Sequence, residues 1–146
     1  MEFNPINIFG SIIVIIMLIP NIIYGLRSKN IQTKNKNKIM NIIEQIGRYA
    51  SMTLMVLPLF VWKFGFSNVF MMLVYIFGNG ILLMTYWIVW IFYFKRHTYS
   101  RAMTLAIVPT IIFLLSGLTL SHCALVVAAV LFGVGHIYVT HQNNKK

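Results

Sequence analysis

The sequence predicts an all-α integral membrane protein, a single domain over residues 1–146 that forms one bundle of five transmembrane helices. Apolar residues make up 59% of the chain and charged residues only 10%, whereas a soluble domain carries about 25% charged residues. The apolar residues also fall into five runs, each close to the roughly 20 residues that cross a bilayer core.

The five predicted helices cover residues 8–26, 42–62, 69–94, 102–120 and 124–140. The first follows a start without Lys or Arg, so we expect it to stay in the membrane and not to be removed as a signal peptide. The second follows a loop rich in Asn and Lys, and the third is the longest. The last two share one apolar stretch, which we expect to break in a tight turn near residues 119–122.

Basic residues alternate between the loops and predict the orientation. The basic segments are the first loop, the third loop and the C-terminal tail, with Arg27, Lys29, Lys34, Lys36, Lys38, Lys95, Arg96, Arg101, Lys145 and Lys146. The second loop holds only Lys63, and the fourth holds no Lys or Arg. By the positive-inside rule, the N-terminus lies outside and the C-terminus in the cytoplasm.

Aromatic residues fit the same orientation. Trp62 and Phe64 are expected at the outer interface, and Trp90 and Tyr93 at the inner one. We expect the protein in the cell membrane, namely the cytoplasmic membrane of a bacterium.

The densest polar cluster lies early in the second helix. Glu44 and Arg48 are four residues apart with the acid first, which is the favourable order for a helical ion pair. Two interpretations stay open. Arg48 extends to the cytoplasmic interface with Glu44 as its neutralising partner, or the pair lines a polar cavity open to the cytoplasm. The neighbouring Gln45 and Tyr49 favour a cavity.

Polar residues of other helices lie at a similar depth. Asn21 and Tyr24 are near the inner end of the first helix, Tyr86 is in the inner half of the third, and His136 is in that of the fifth. The predicted ligand-binding residues are Glu44, Arg48, Gln45, Tyr49, Asn21, Tyr24, Tyr86 and His136. The alternative is that each makes a local interhelical hydrogen bond, worth about 0.6 kcal/mol. Asn79, between Gly78 and Gly80, is expected at a packing notch.

The composition excludes several kinds of chemistry. With two Glu and no Asp, a pair of catalytic carboxylates, a carboxylate metal cluster and an Asp-based triad are not expected. The sequence has no P-loop, Rossmann or zinc-ribbon motif. His136 and His141 are five residues apart, so we predict no metal site and no cofactor. The net charge of +10 is explained by topology, so we expect no nucleic-acid partner.

Two further features bear on partners. Lys95, Arg96 and Arg101 could bind an anionic lipid headgroup, although plain topology control is favoured. Small residues at Ala124, Ala128, Ala129 and Gly133 permit close packing of the fifth helix, within the chain or at a dimer seam.

Three functions follow, in order of preference. The first is binding or transport of a small polar or charged solute from the cytoplasmic side, helped by a homodimer. The second is an accessory, regulatory or protective subunit bound to a partner membrane protein. The third is an enzyme acting on a lipid or isoprenoid at the inner leaflet, so catalysis is not favoured and no catalytic residue is assigned. Membrane lipids are expected partners in every case.

Overall fold

The computed structural model describes residues 6–27, 37–57, 59 and 66–145, and these form five α-helices. Their bounds are α1 (Ile8–Arg27), α2 (Lys38–Val56), α3 (Val69–Lys95), α4 (Tyr99–Thr119) and α5 (Cys123–Asn144). The described residues contain no strand, so the all-helical prediction is confirmed. All but α2 are long and apolar enough to cross a membrane, which fits a multi-pass membrane protein.

Helix α2 begins earlier than the sequence pattern predicts, at Lys38 and not at residue 42. The cause is Asn37, whose side-chain oxygen accepts hydrogen bonds from the backbone N–H groups of Ile39 and Met40, at 3.1 and 3.3 Å. An Asn in this position satisfies donors that have no partner within the helix. Helix α2 is less apolar than the other four helices because Glu44, Gln45 and Arg48 lie within it.

Helix α2 also ends at Val56, before the predicted end at Trp62. Leu57 has extended backbone angles, with φ −106° and ψ 121°. It precedes Pro58 in the sequence, and a residue before proline is driven out of the helical region by steric clash. The predictions for Trp62, Lys63 and Phe64 concern residues outside the described part of the chain.

The turn between α4 and α5 is tight and lies at residues 120–122. Ser121 has a φ of 53°, in the left-handed region that commonly closes a helix. The His122 N–H donates to the Gly117 carbonyl at 2.8 Å. The His122 imidazole then caps α5 by accepting from the Leu125 N–H at 3.2 Å.

Successive helices run antiparallel. Helix α5 packs against α2 and α4, α3 packs on α4, and α1 contacts both α2 and α3. At the start of α1, the Asn7 N–H donates to the Val56 carbonyl at the end of α2, at 2.7 Å. At the opposite end of the bundle, the Tyr99 hydroxyl at the start of α4 lies 2.6 Å from His141 Nδ1 near the end of α5.

This arrangement gathers the basic helix termini at one end of the bundle. That end, which we call the basic end, carries Arg27, Lys38, Lys95, Arg96, Arg101 and Lys145. The described residues at the opposite end, which we call the far end, include no Lys or Arg. Among the described residues, positive charge is therefore concentrated at one end of the bundle.

Candidate functional site

A cavity of about 210 Å³ lies between the helices, and all five contribute to its wall. It is partly open, since Asn21 on its wall is exposed. Its polar residues are Asn21, Arg48, Tyr86 and His136, and its apolar residues are Met17, Leu18, Met52, Pro109, Phe113 and Phe132. The volume exceeds the roughly 10–15 Å³ that one water requires. It is below the roughly 300 Å³ at which sites for drug-sized ligands begin.

Glu44 is not part of the wall, but it contacts two of these polar residues. Only 5% of Glu44 is exposed. Its Oε1 accepts from Arg48 Nη2 at 2.5 Å and lies 2.7 Å from His136 Nδ1. Because an ionised carboxylate only accepts hydrogen bonds, this contact places the proton of a neutral His136 on Nδ1.

Two glycines allow α2 and α5 to approach closely enough for this contact. A Cβ atom on Gly135 would lie 2.6 Å from the backbone nitrogen of Glu44, and one on Gly47 would overlap the backbone of Phe132. Larger residues at either position would separate the helices. In this part of α5, the small residues therefore serve packing within the chain.

Asn21 and Tyr86 form the opposite polar part of the wall and join α1 to α3. The Asn21 Nδ2 donates to the Tyr86 hydroxyl at 2.7 Å and to the Met17 carbonyl at 2.9 Å. Tyr86 is 1% exposed, so its position is fixed by packing as well as by this bond.

The structure does not bring all the predicted site residues together. Gln45 is exposed, and Tyr49 is 65% exposed on the outward side of α2. Tyr24 lies towards the basic end, where its ring is 5.4 Å from that of Trp90 and 5.7 Å from that of Tyr93. These three side chains are not part of the cavity wall, whereas Asn21, Arg48, Tyr86 and His136 are.

The aromatic part of the wall was not predicted from the sequence. The Phe132 ring stacks on His136 with centroids 4.8 Å apart, and Phe113 meets Phe132 edge to face at 5.5 Å. Phe132 precedes His136 by four residues, a spacing that places two residues on one helix face. This spacing could have identified Phe132, but Phe113 comes from a different helix and carries no such signal.

A second buried polar group lies nearer the far end. It consists of Asn7, Tyr75, Asn79 and Ser116, and we call it the distal polar group. Asn79 Nδ2 donates to Ser116 Oγ at 3.2 Å, and the Tyr75 hydroxyl faces Asn7 and Ser116. Within the described part of the chain, Asn7 Nδ2, the Tyr75 hydroxyl and Asn79 Oδ1 have no hydrogen-bond partner.

The predicted lipid-binding residues Lys95, Arg96 and Arg101 lie at the basic end. Arg101 Nη1 donates to the carbonyls of Phe92 and Arg96, at 2.9 and 3.0 Å. The Phe92 carbonyl also accepts from the Arg96 N–H, whereas the last carbonyls of a helix lack partners within it. Arg101 therefore caps α3 through the Arg96 carbonyl. Binding of an anionic lipid by the three residues stays a prediction.

No three His, Cys, Asp or Glu side chains of the described residues come together as a metal site would require. Comparison of the chain with protein-family models, curated protein sequences and solved structures gives no match. The cavity geometry is therefore the basis for a functional assignment.

Proposed function

We propose that the protein is a five-span membrane protein that binds a small polar solute in this cavity from the cytoplasmic side. The observation that carries the proposal is the convergence of Asn21, Arg48, Tyr86 and His136, from four helices, on one cavity. Tyr86 is buried, Arg48 and His136 are half-buried, and Asn21 is exposed. Polar groups at membrane depth that face a cavity typically mark solute or ion sites.

The depth of the cavity supports this proposal. Arg48 lies ten residues after Lys38 along α2, or about 15 Å at the rise of an α-helix. With the basic end in the cytoplasm, Arg48 lies within a hydrocarbon core about 30 Å thick. The pairing with Glu44 makes a charge at this depth tolerable.

The state of Glu44 favours binding over catalysis. Its Oε1 already accepts from Arg48 and lies within hydrogen-bond distance of His136. A carboxylate held in this way is better suited to orient two wall residues than to remove a proton from a lipid.

Native mass spectrometry of the protein purified from cells tests the binding site. We expect a retained small molecule that is lost in Arg48→Met and reduced in Tyr86→Phe. Arg27→Met and Tyr138→Phe are matched controls because neither residue contributes to the cavity wall, and both should retain the molecule. A folded wild-type protein that carries nothing, and is stabilised by no solute, would refute the proposal.

Cys123 tests the orientation. It is exposed and begins α5 at the far end, so an impermeant maleimide should label it in intact cells. In a Cys123→Ser background, Lys145→Cys should react only after the membrane is permeabilised. The opposite pattern would invert the proposed topology.

We also propose that a second copy of the chain packs against the outward face of α2. Gln45, Tyr49 and Thr53 are exposed at successive steps of four residues on this face, where lipid could not satisfy their polar groups. Each of these side chains donates and accepts hydrogen bonds. The face can therefore pair with its own copy across a two-fold axis.

Oxidative cross-linking tests the dimer. In the Cys123→Ser background, Tyr49→Cys should form a disulfide-linked dimer in membranes. Phe77→Cys is the matched control because Phe77, on α3, is 65% exposed, as is Tyr49. Equal cross-linking at both positions, or a purely monomeric protein in native mass spectra, would argue against this interface.

A further inference from the structure

The hydrogen bonds already made in the cavity wall restrict which solute it can bind. We infer that the solute is a small neutral molecule whose polar group both accepts and donates hydrogen bonds, such as a carboxamide, with an apolar portion attached. This inference rests on the proposed binding function and specifies the chemical class of the solute.

The charge balance of the wall favours a neutral solute. Among the described residues, Arg48 is the only Lys, Arg, Asp or Glu on the wall, and its guanidinium is paired with the Glu44 carboxylate. These two charges cancel, so no Lys, Arg, Asp or Glu among the described wall residues is left to balance a charged solute. A carboxylate would leave its own charge uncompensated, and so would an ammonium group.

The hydrogen bonds that Asn21 already makes determine which donors and acceptors Asn21 and Tyr86 can offer to a solute. An amide nitrogen has two donors, and Asn21 uses them on the Met17 carbonyl and the Tyr86 hydroxyl. Asn21 therefore retains only its Oδ1, an acceptor. The Tyr86 oxygen accepts the bond from Asn21, so its own proton is free to be donated.

Arg48 and His136 provide a second pair of complementary groups. A guanidinium has five N–H donors, and the hydrogen bonds among the described residues use one of them, on Glu44. His136 directs Nδ1 at the same carboxylate, so Nε2 of the neutral ring is an acceptor. The wall thus offers donors from Arg48 and Tyr86, and acceptors from Asn21 and His136.

The remaining wall fits the apolar portion of the solute. Phe113 and Phe132 contact each other edge to face, and Met17 and Met52 are also part of the wall. Methionine adapts its shape to a ligand and makes favourable contacts with rings. At about 210 Å³, the cavity has room for one small ring bearing one polar group.

Benzamide, benzoate and benzamidinium form a nearly isosteric series that is neutral, anionic and cationic. Binding of each to the full chain in lipid nanodiscs can be measured by saturation-transfer NMR and by thermal shift. We expect benzamide to bind at least about tenfold more tightly than either ion, the order of effect of leaving a buried charge unpaired. Tyr86→Phe should weaken benzamide binding several-fold, while Tyr138→Phe should not.

A charge-altering variant provides an independent readout. Asn21→Asp places an anionic acceptor in the wall and should shift the preference towards benzamidinium, whereas Asn144→Asp, at the end of α5, should leave the order unchanged. Tightest binding of benzoate to the wild type would overturn the inference while preserving the binding site. Failure of all three probes would also overturn it, and a cellular ligand still seen in native mass spectra would show that the proposed function stands.

Discussion

The cavity and the distal polar group solve the same physical problem in different ways. Both bring polar side chains from different parts of the chain together, but the cavity wall is partly exposed, and only the cavity has formal charges. Arg48 and Glu44 are paired with each other, and Glu44 also contacts His136. The distal group is uncharged, and three of its polar atoms have no partner among the described residues. Buried charges must be paired, whereas a neutral amide or hydroxyl can be satisfied by a single buried water.

The largest expected effect is at the charged group. Glu44→Leu leaves Arg48 and His136 without their carboxylate and should lower the free energy of unfolding by about 2–3 kcal/mol. This is below the 3–5 kcal/mol of a fully buried pair because the Arg48 side chain is 32% exposed. Thermal unfolding in detergent measures the loss. The double variant Glu44→Leu/Arg48→Met should recover most of it, and simple additivity of the two substitutions would contradict the pairing.

The close contact of α2 with α5 should be the next most sensitive feature. Gly135→Ala forces a Cβ against the Glu44 backbone and should cost about 1–3 kcal/mol, as overpacking does. Gly25→Ala is the matched control because, apart from its chain neighbours and the adjacent backbone of its own helix, no atom lies within 4 Å of its added Cβ. The control should be neutral or stabilising by up to about 1 kcal/mol. Equal unfolding midpoints for the two variants would show that the close approach is unimportant.

Substitutions in the distal polar group should lower the stability far less. Asn79→Leu removes one interhelical hydrogen bond to Ser116 and should cost about 0.6 kcal/mol. It also removes the unpaired Oδ1, which offsets part of that loss. Solute binding should be unchanged, in contrast to Asn21→Leu, which alters the cavity wall. A loss of binding in Asn79→Leu would mean that the two polar regions act together.

The smallest expected effect is a pH dependence at the far end. Burial lowers the pKa of His122, so the folded protein keeps this imidazole neutral while the unfolded chain takes up a proton below pH of about 6.5. Stability should therefore fall as the pH drops from 7 to 5. His122→Asn, which keeps a capping oxygen, should reduce that fall in unfolding temperature, and His97→Asn should not. If the unfolding temperature of His122→Asn fell with pH as steeply as that of the wild type, another group would be responsible for the pH dependence.

The candidate site was predictable where one helix carried the whole signal. Glu44 and Arg48 are four residues apart, so their pairing follows from helix geometry alone. Gln45 is the next residue after Glu44 and is therefore rotated by about 100° around the axis. It faces outwards for that reason, and so does Tyr49, although both were expected to join the cluster. The depth of a residue along a helix can be read from the sequence. Whether its side chain points into the bundle or outwards depends on the neighbouring helices.

By itself, the sequence determined the helical class and the distribution of basic residues, because hydrophobic length and loop charge are local properties. It also determined the Glu44–Arg48 pair. Only the tertiary structure decided that His136 contacts Glu44, that Asn21 contacts Tyr86, and that Phe113 and Phe132 complete the cavity. The hydrogen-bonded partners Asn21 and Tyr86 are 65 positions apart in the sequence, and Glu44 and His136 are 92 positions apart. These contacts depend on which helices are adjacent and how closely they approach, and this is set by side-chain packing and by glycines such as Gly135.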